Sequence, residues 1–344
     1  MIEVSIILPL YNAEPWLEEC LQSIEAQDFT GTLELSVFND ASTDKSSSIL
    51  ETWAKNLKNQ NIKITISSES GKPKGVGYAK NKAVAQSSGE YLCFLDADDC
   101  MASSRVRKQF DSCFSNHNLI VGCCFHRKPA DSTPRYTNWA NSLSSSQLYS
   151  QIYTSFGPTI IMPTWFCHRS VHTRIGGFDE RGKGIPEDLL FFYRHLRLGG
   201  KLHRVDEDLL LYRYHPSATT FSISEDTIWQ VRLEELEDRV LKNWAHFTIW
   251  NAGKQGRKLY RSLAPRNKLK VQAFCDVDDK KISKGVYIYE ETKEYPRPRI
   301  PIVHFSKAVP PFIICVKIDM TSGVFEKNLL SLNLVEGNDY IHFS

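Results

Sequence analysis

Three carboxylates fall within four positions in the run Phe94-Leu95-Asp96-Ala97-Asp98-Asp99, directly after an apolar, strand-like segment. Packed this closely, they cannot all stay charged without a compensating cation. Hard divalent ions such as Mg²⁺ and Mn²⁺ take oxygen ligands and share them with phosphate, so an acidic cluster at a strand end points first to a metal and diphosphate site. Helix capping is the competing reading, with Asp99 placed to cap a helix that starts near Ser103.

Other residues with chemical potential also follow apolar segments. Asp40 can accept hydrogen bonds from a uracil imide or a ribose hydroxyl, and Tyr11 can stack on the base. Taken alone, Asn39-Asp40-Ala41-Ser42 is equally a turn and an N-cap. Gly75-Val76-Gly77-Tyr78-Ala79-Lys80-Asn81 opens a helix after glycines, where free N–H groups and Lys80 can face an anion. It lacks the Lys-Ser/Thr ending of a P-loop, so it is not read as an ATPase loop, and a flexible surface loop is the alternative. Glu187-Asp188 at a helix start suits the dipole; a carboxylate there is also suited to take a proton from an acceptor hydroxyl. His215 follows a strand and is either structural or able to complete a metal shell with Asp98.

The elements that must position these groups alternate. Apolar runs at 4–8, 33–38, 62–67 and 91–95 are separated by helix-period segments at 15–27, 45–57 and 78–86. This βαβαβαβ order predicts a parallel sheet covered on both faces, with ligands gathered at the carboxyl ends of its strands. Residues 119–163 are less regular and carry no assigned chemistry. A helix over 189–198 and a strand over 209–212 follow, and 227–241 reads as a linker helix. The alternation restarts at 247–250 and 271–275, and 313–317 gives one more buried-type strand. The predicted architecture is thus α/β twice over: a larger domain over 1–225, a linker over 226–245 and a smaller Rossmann-like domain over 246–344.

Composition excludes little else. The 344 residues are 42% hydrophobic and 24% charged with a net charge of +2, as in an ordinary globular protein with room for two cores. The nine cysteines lack metal-type spacing and fit reduced thiols. The opening Met1-Ile2-Glu3-Val4 enters a strand directly and no apolar stretch is long enough to span a bilayer, so the expected setting is cytoplasmic, without a membrane partner.

Taken together, Val4-Ser5-Ile6-Ile7-Leu8-Pro9-Leu10-Tyr11-Asn12, Asn39-Asp40, Asp96-Ala97-Asp98, Gly176-Gly177-Phe178, Glu187-Asp188 and Tyr212-Arg213-Tyr214-His215-Pro216-Ser217 resemble the GT-A fold of family 2 glycosyltransferases over roughly residues 1–225. The resemblance implies a UDP-sugar donor whose uridine is held by Pro9, Tyr11, Asn12, Glu14 and Asp40. Lys80, Asn81, Asp96 and Ala97 would complete the donor pocket. It further implies that Asp98 and His215 hold Mg²⁺ or Mn²⁺, and that Asp188 is the base of an inverting displacement. Over its whole length, including Ile249 to Arg257 and Tyr340 to Ser344, the chain is also similar to transferases that act on a modified nucleoside of tRNA. That similarity implies UDP-galactose as donor and the cyclopentene hydroxyl of queuosine, at the wobble position of tyrosine tRNA, as acceptor. A cytosolic UDP-GlcNAc-dependent N-acetylglucosaminyltransferase acting on a glycan or protein is the alternative.

One feature speaks independently of RNA. No acidic residue lies between Asp238 and Asp276, while nine lysines and arginines do, interleaved with Trp244, Phe247, Trp250 and Tyr260. Such a patch suits phosphate contacts, and a solvated basic helix face is the alternative. Candidate acceptor contacts are Trp165, Glu187, Lys254, Arg257, Lys258 and Arg261. The run Asn251-Ala252-Gly253-Lys254-Gln255-Gly256, with Asp276 further on, is similar to a dinucleotide fingerprint, but Asn251 replaces its first glycine. The expectation is a Rossmann-like domain reused for acceptor recognition or packing.

Overall fold

Every side chain of β1 (Val4–Leu10) and β2 (Leu33–Asp40) is buried, as expected for interior parallel strands covered on both faces. The computed structural model describes residues 2–57, 61–293 and 295–344. The chain divides into two compact units, one of residues 1–145 and 157–227 and one of residues 146–156 and 228–344.

The first unit adds β3 (Ile62–Glu69), β4 (Tyr91–Phe94), β5 (Cys100–Met101), β6 (Leu119–Lys128), β7 (Phe166–His168) and β8 (Lys201–Arg213) in one sheet, ordered β3-β2-β1-β4-β7-β6-β8-β5. β1 to β4 are mutually parallel where they pair. β7 runs against both β4 and β6, while β6 is parallel to β8. Two reversals cancel, so β8 runs with β4 and delivers its carboxyl end to the same edge. The order 3-2-1-4 places the topological switch between β1 and β4, where open α/β sheets collect ligands. Pairing of β1 with β4 stops at Ile7↔Phe94, while β1 continues beside β2 to Leu10. Pro9 therefore costs no ladder bond on the β4 side, and the crevice opens there.

Helices α1 (Leu17–Glu25), α2 (Ser46–Asn56), α3 (Val76–Gln86), α4 (Arg105–Cys113), α5 (Pro134–Ser142), α6 (Gln147–Ser150), α7 (Arg169–Ile175) and α8 (Glu187–Arg197) follow in chain order, with α6 belonging to the second unit. Leu17, Cys20, Leu21 and Ile24 of α1 recur at helical spacing and enter the core with Leu8, Leu10 and Leu35. The stretch after 119 differs from its irregular sequence appearance, because β6 is a ten-residue strand. Its outer half is polar, and its register against β8 shifts on either side of Cys124, which breaks the alternation. β8 is likewise longer than its apolar end, since Arg204, Asp206, Glu207 and Asp208 mask its first half.

In the second unit, β9 (Phe247–Trp250), β10 (Val271–Asp276), β11 (Val286–Ile288), β12 (Arg299–His304), β13 (Phe312–Ile314) and β14 (Tyr340–His342) are ordered β11-β12-β10-β9-β13-β14. All pair parallel except β11. Counted from β9 without β11, this is the 3-2-1-4-5 order of a Rossmann-like sheet. Trp250 anchors its core against Phe305, Phe312 and Phe325. The segment read as a linker contains α9 (Glu225–Leu236), which buries Ile228, Leu233 and Leu236. Its Trp229 donates to Ser262 in α10 (Lys254–Ser262), and its Arg232 to the Ser344 carbonyl. Among the described residues no helix is long and apolar enough to cross a membrane.

α3, which carries Lys80, is seated by Gly77: a Cβ there would lie 2.2 Å from the Asp179 carbonyl oxygen. Gly77→Ala should therefore cost about 1–3 kcal/mol and lower the thermal midpoint of the full chain. An unchanged midpoint would show that this contact relaxes freely.

Candidate active site

The loop after β4 turns tightly, with the Asp99 N–H donating to the Asp96 carbonyl. This brings carboxylate oxygens of Asp96, Asp98 and Asp99 within 4.8 Å of one another. The expected cationic neighbours are supplied by the protein. Lys80, fully buried on α3, places its ammonium 3.0 Å from Glu187 Oε1 and 4.0 Å from Asp96 Oδ1. Arg105, fully buried at the start of α4, donates to the Phe94 carbonyl and to Gln109 directly behind the cluster. From the end of β8, His215 reaches Asp98, Nε2 to Oδ2 2.8 Å, and its ring stacks on Trp16 at 4.0 Å.

These positions set the electrostatics. Burial lifts the Asp96 carboxyl to about 6, with Asp98 and Glu187 adding to the rise and Lys80 and Arg105 opposing it. Burial also lifts Asp188, at the first turn of α8, to about 7; Glu187 and Asp96 reinforce this, and Lys80 and the Leu189 N–H oppose it. For Lys80, burial works against the charge, but Glu187, Asp96 and Asp188 outweigh it and hold the pKa above the usual lysine value. Asp188 Oδ1 accepts from the Leu189 N–H at 2.7 Å. Its Oδ2 faces Gly157, where a Cβ would stand 3.8 Å away.

Asp99 does not cap a helix. It is fully buried, accepts from the Arg213 N–H through Oδ1, and is held well above the ordinary carboxylate range by burial and by Asp98 and Asp96. α4 begins only at Arg105 after Ser104, with no side-chain cap. Asp99 Oδ2 and Asp96 Oδ1 are buried with no hydrogen-bond partner among the described residues. Unpartnered carboxyl oxygens grouped in this way are a donor set that suits a hard divalent cation, whose charge would favour their ionised form.

The other predicted donor residues divide into surfaces and struts. Tyr11 is half-exposed at the end of β1, its ring free for stacking, and Pro9 lies buried in β1. Asn12 accepts from the Thr43 N–H, and Glu14 accepts from the Lys45 N–H, so both stitch the first loop to the second. Asp40 is buried and its two oxygens accept from the Lys74 and Gly75 N–H groups, latching the Gly/Lys loop to β2. Ala97 is buried between the aspartates. Asn81 points elsewhere: its amide exchanges hydrogen bonds with the Phe178 backbone and contacts Glu180 and His172. The anions that Lys80 faces are protein carboxylates.

Several acceptor candidates lie in the core. Trp165 is buried, packs on Phe178, Phe191 and Phe192, and gives its indole N–H to the Ile160 carbonyl, so its ring offers no surface to a ligand. Glu187 is buried in its pair with Lys80. On α10, Lys254 is exposed, while Arg257 lies over Tyr287, Lys258 over Trp229, and Arg261 pairs with Glu291. Phe247, Trp250 and Tyr260, read as interleaved aromatics, are buried. Asp276 spends its oxygens on the Ala252, Val277 and Asp278 N–H groups and on Lys281. Asn251 bridges the Gly253 N–H and the Cys315 carbonyl. The dinucleotide-like loop is thus closed upon itself. Sequence reasoning missed Arg105 and Trp16, which no local spacing marks, and gave no role to Arg213 within its motif.

The first unit has the GT-A architecture, a mixed sheet with its carboxylate cluster at the strand switch. The chain belongs to glycosyl transferase family 2, whose sequence profile matches residues 5–176. It is similar to an uncharacterised glycosyltransferase, EpsJ, of Bacillus subtilis, 26% identical over 262 residues that span 75% of this chain and 74% of that one. It is also similar to the poly(ribitol-phosphate) β-N-acetylglucosaminyltransferase TarS of Staphylococcus aureus, 38% identical over 101 residues that span 29% of this chain and 17% of TarS. Among solved structures, TarS 1–349 in complex with UDP-GlcNAc superposes with a TM-score of 0.52 at 19% identity, covering 70% of this chain and 68% of that one. A Pyrobaculum calidifontis mannosyltransferase in complex with GDP-Man and Mn²⁺ gives 0.50 at 19% identity, covering 68% and 61%.

Two outcomes follow. Because the Asp188 carboxyl is lifted to about 7, transfer should rise as pH climbs through that value, and Lys80→Met, which removes the opposing charge, should move the acid limb to higher pH. An unmoved limb would detach Asp188 from the pH profile. Asp96 and Asp188 keep protons to about 6 and 7 when folded, against roughly 4 when unfolded. Their contribution to stability is therefore greatest at low pH and is lost as pH rises through that window. Mn²⁺ at pH 8 should raise the melting temperature, and Asp98→Asn should abolish the rise.

Proposed function

We propose that the chain is an inverting, divalent-cation-dependent transferase acting in the cytoplasm, moving galactose from UDP-galactose to the cyclopentene hydroxyl of queuosine at the wobble position of tyrosine tRNA. The observation that carries the transfer chemistry is the meeting of Asp98 with Asp96 and with His215 at the β1/β4 switch, with Asp188 close enough to Asp96 and Lys80 for their charges to act on it. UDP-GlcNAc in the TarS complex supports a uridine-linked donor, and the tRNA acceptor is what the sequence resemblance implies. The second unit, a Rossmann-like domain over roughly 246–344, is assigned to acceptor recognition.

Tyr11 stacks on the uracil, and the loops stitched by Asn12, Glu14 and Asp40 enclose the nucleoside. Asp98 and His215, with Asp96, would hold Mn²⁺ or Mg²⁺, which when bound supplies positive charge to the diphosphate leaving group. Asp188 does the proton work. With Oδ1 fixed by the Leu189 N–H, Oδ2 takes the acceptor hydroxyl proton as that oxygen bonds to the anomeric carbon. The bond from that carbon to UDP breaks on the opposite face, so one displacement inverts the configuration. Lys80, held among Glu187, Asp96 and Asp188, keeps the Asp188 carboxyl from rising further.

Incubation with total tRNA and UDP-galactose, followed by mass spectrometry of the nucleoside digest, should show a hexose added to queuosine. Transfer of N-acetylhexosamine from UDP-GlcNAc to a glycan or protein, with tRNA unchanged, would overturn this reading in favour of an N-acetylglucosaminyltransferase. Asp188→Asn should cut turnover by roughly 100-fold or more while UDP affinity stays within twofold; near-normal turnover would remove Asp188 from the base role.

A further inference from the structure

The buried aromatics of the basic helix region leave open where an RNA loop would find rings to stack on, and the first unit offers a second location. Tyr214 is 38% exposed and Phe221 54% exposed, and the two rings meet edge to face at 5.5 Å. They are set at the mouth of the candidate site. Tyr214 immediately precedes His215, which reaches Asp98. The turn carrying Phe221 approaches the glycine loop leading into α8, since a Cβ on Gly184 would lie 3.8 Å from the Ser222 carbonyl oxygen.

A cation stands behind these rings. The Arg127 guanidinium lies 3.9 Å from the Tyr212 ring centre and 5.6 Å from that of Tyr214. Its Nη1 gives a 3.4 Å hydrogen bond to the Arg213 carbonyl, and its Nε is buried with no partner. No carboxylate pairs with it among the described residues. Lys128, one position on, is more than half exposed and shares Glu19 with Arg213, so this corner of the sheet edge carries an excess of positive charge. Exposed rings beside positive charge that nearby carboxylates do not fully match are the combination that binds unpaired nucleobases and their phosphates. A glycan acceptor would account for the rings but not for the charge.

We propose that Tyr214 and Phe221 form a stacking platform for an unpaired base next to the reacting nucleoside, with Arg127 and Lys128 drawing the adjoining phosphate. This rests on the reading of the acceptor as an RNA loop and names the surface that grips it. The platform belongs to the first unit, and α10 to the second.

Both rings are exposed, so Tyr214→Ala and Phe221→Ala, alone and together, should leave the melting temperature and UDP affinity of the full chain unchanged. The double variant should bind a tyrosine tRNA anticodon stem-loop roughly tenfold more weakly or worse, with KM for tRNA rising and kcat little altered. Tyr214→Phe should retain affinity. The comparison is a chain with Lys254, Arg257, Lys258 and Arg261 replaced by alanine. If that chain loses tRNA affinity while Tyr214→Ala/Phe221→Ala does not, the platform is refuted and the RNA acceptor stands. If the wild-type chain neither binds nor modifies the stem-loop, the RNA acceptor fails and the platform fails with it.

Discussion

The first unit is organised around an electrostatic problem: several carboxylates are gathered where a sheet gives them little water. Lys80 and Arg105, both fully buried, are the internal part of the solution. Each would be expensive alone, because burying an unpaired charge costs far more than a surface ion pair returns. Each is offset by the same cluster that it offsets. Burial raises the Asp96 and Asp188 carboxyls above the usual range, and Asp96 Oδ1 and Asp99 Oδ2 have no hydrogen-bond partner among the described residues. The protein's own cations thus leave a residual negative charge for something from solution to complete.

Sheet topology makes that arrangement possible. β1 outruns its pairing with β4, and the loop after β4 folds into the gap with its side chains converging. β8 arrives parallel to β4 only because β7 reverses the direction twice, and His215 owes its position to that reversal. Other groups at this edge hold backbone. Asp40 latches the Gly/Lys loop, while Asn12 and Glu14 join the first two loops.

The parallel half of the sheet was legible in sequence because its strands are apolar throughout and its helices carry a clean period. The second half was harder to read. The bulge around Cys124 and the charged start of β8 interrupt any alternation, and a strand paired at long range shows no local sign of it. The same division runs through the site. Asp96, Asp98 and His215 stood out as acidic residues and a histidine after strands, Asp188 only through the family resemblance, and the structure brings Asp98 together with Asp96 and with His215. Arg105 and Trp16 did not stand out, since an arginine or tryptophan in an amphipathic stretch gives no hint that it faces inward. Trp165, Asn81, Phe247, Trp250 and Tyr260 were read as candidate contacts from their types, and the structure puts the four rings in the core and the Asn81 amide against the Phe178 backbone. Large rings and amides serve equally well as core and clamp, and only three-dimensional context separates the two uses.

Lys80 joins three separately folded pieces through one ammonium group: α3 that bears it, the first turn of α8 and the loop after β4. The first turn of α8 and the carboxylate cluster after β4 are therefore tied into a single block. Gly157, Tyr214 and Phe221 hang from turns outside that block, where insertions and exchanges are tolerated most easily. Descendants of such a scaffold can consequently drift in what they glycosylate while the engine beneath stays fixed.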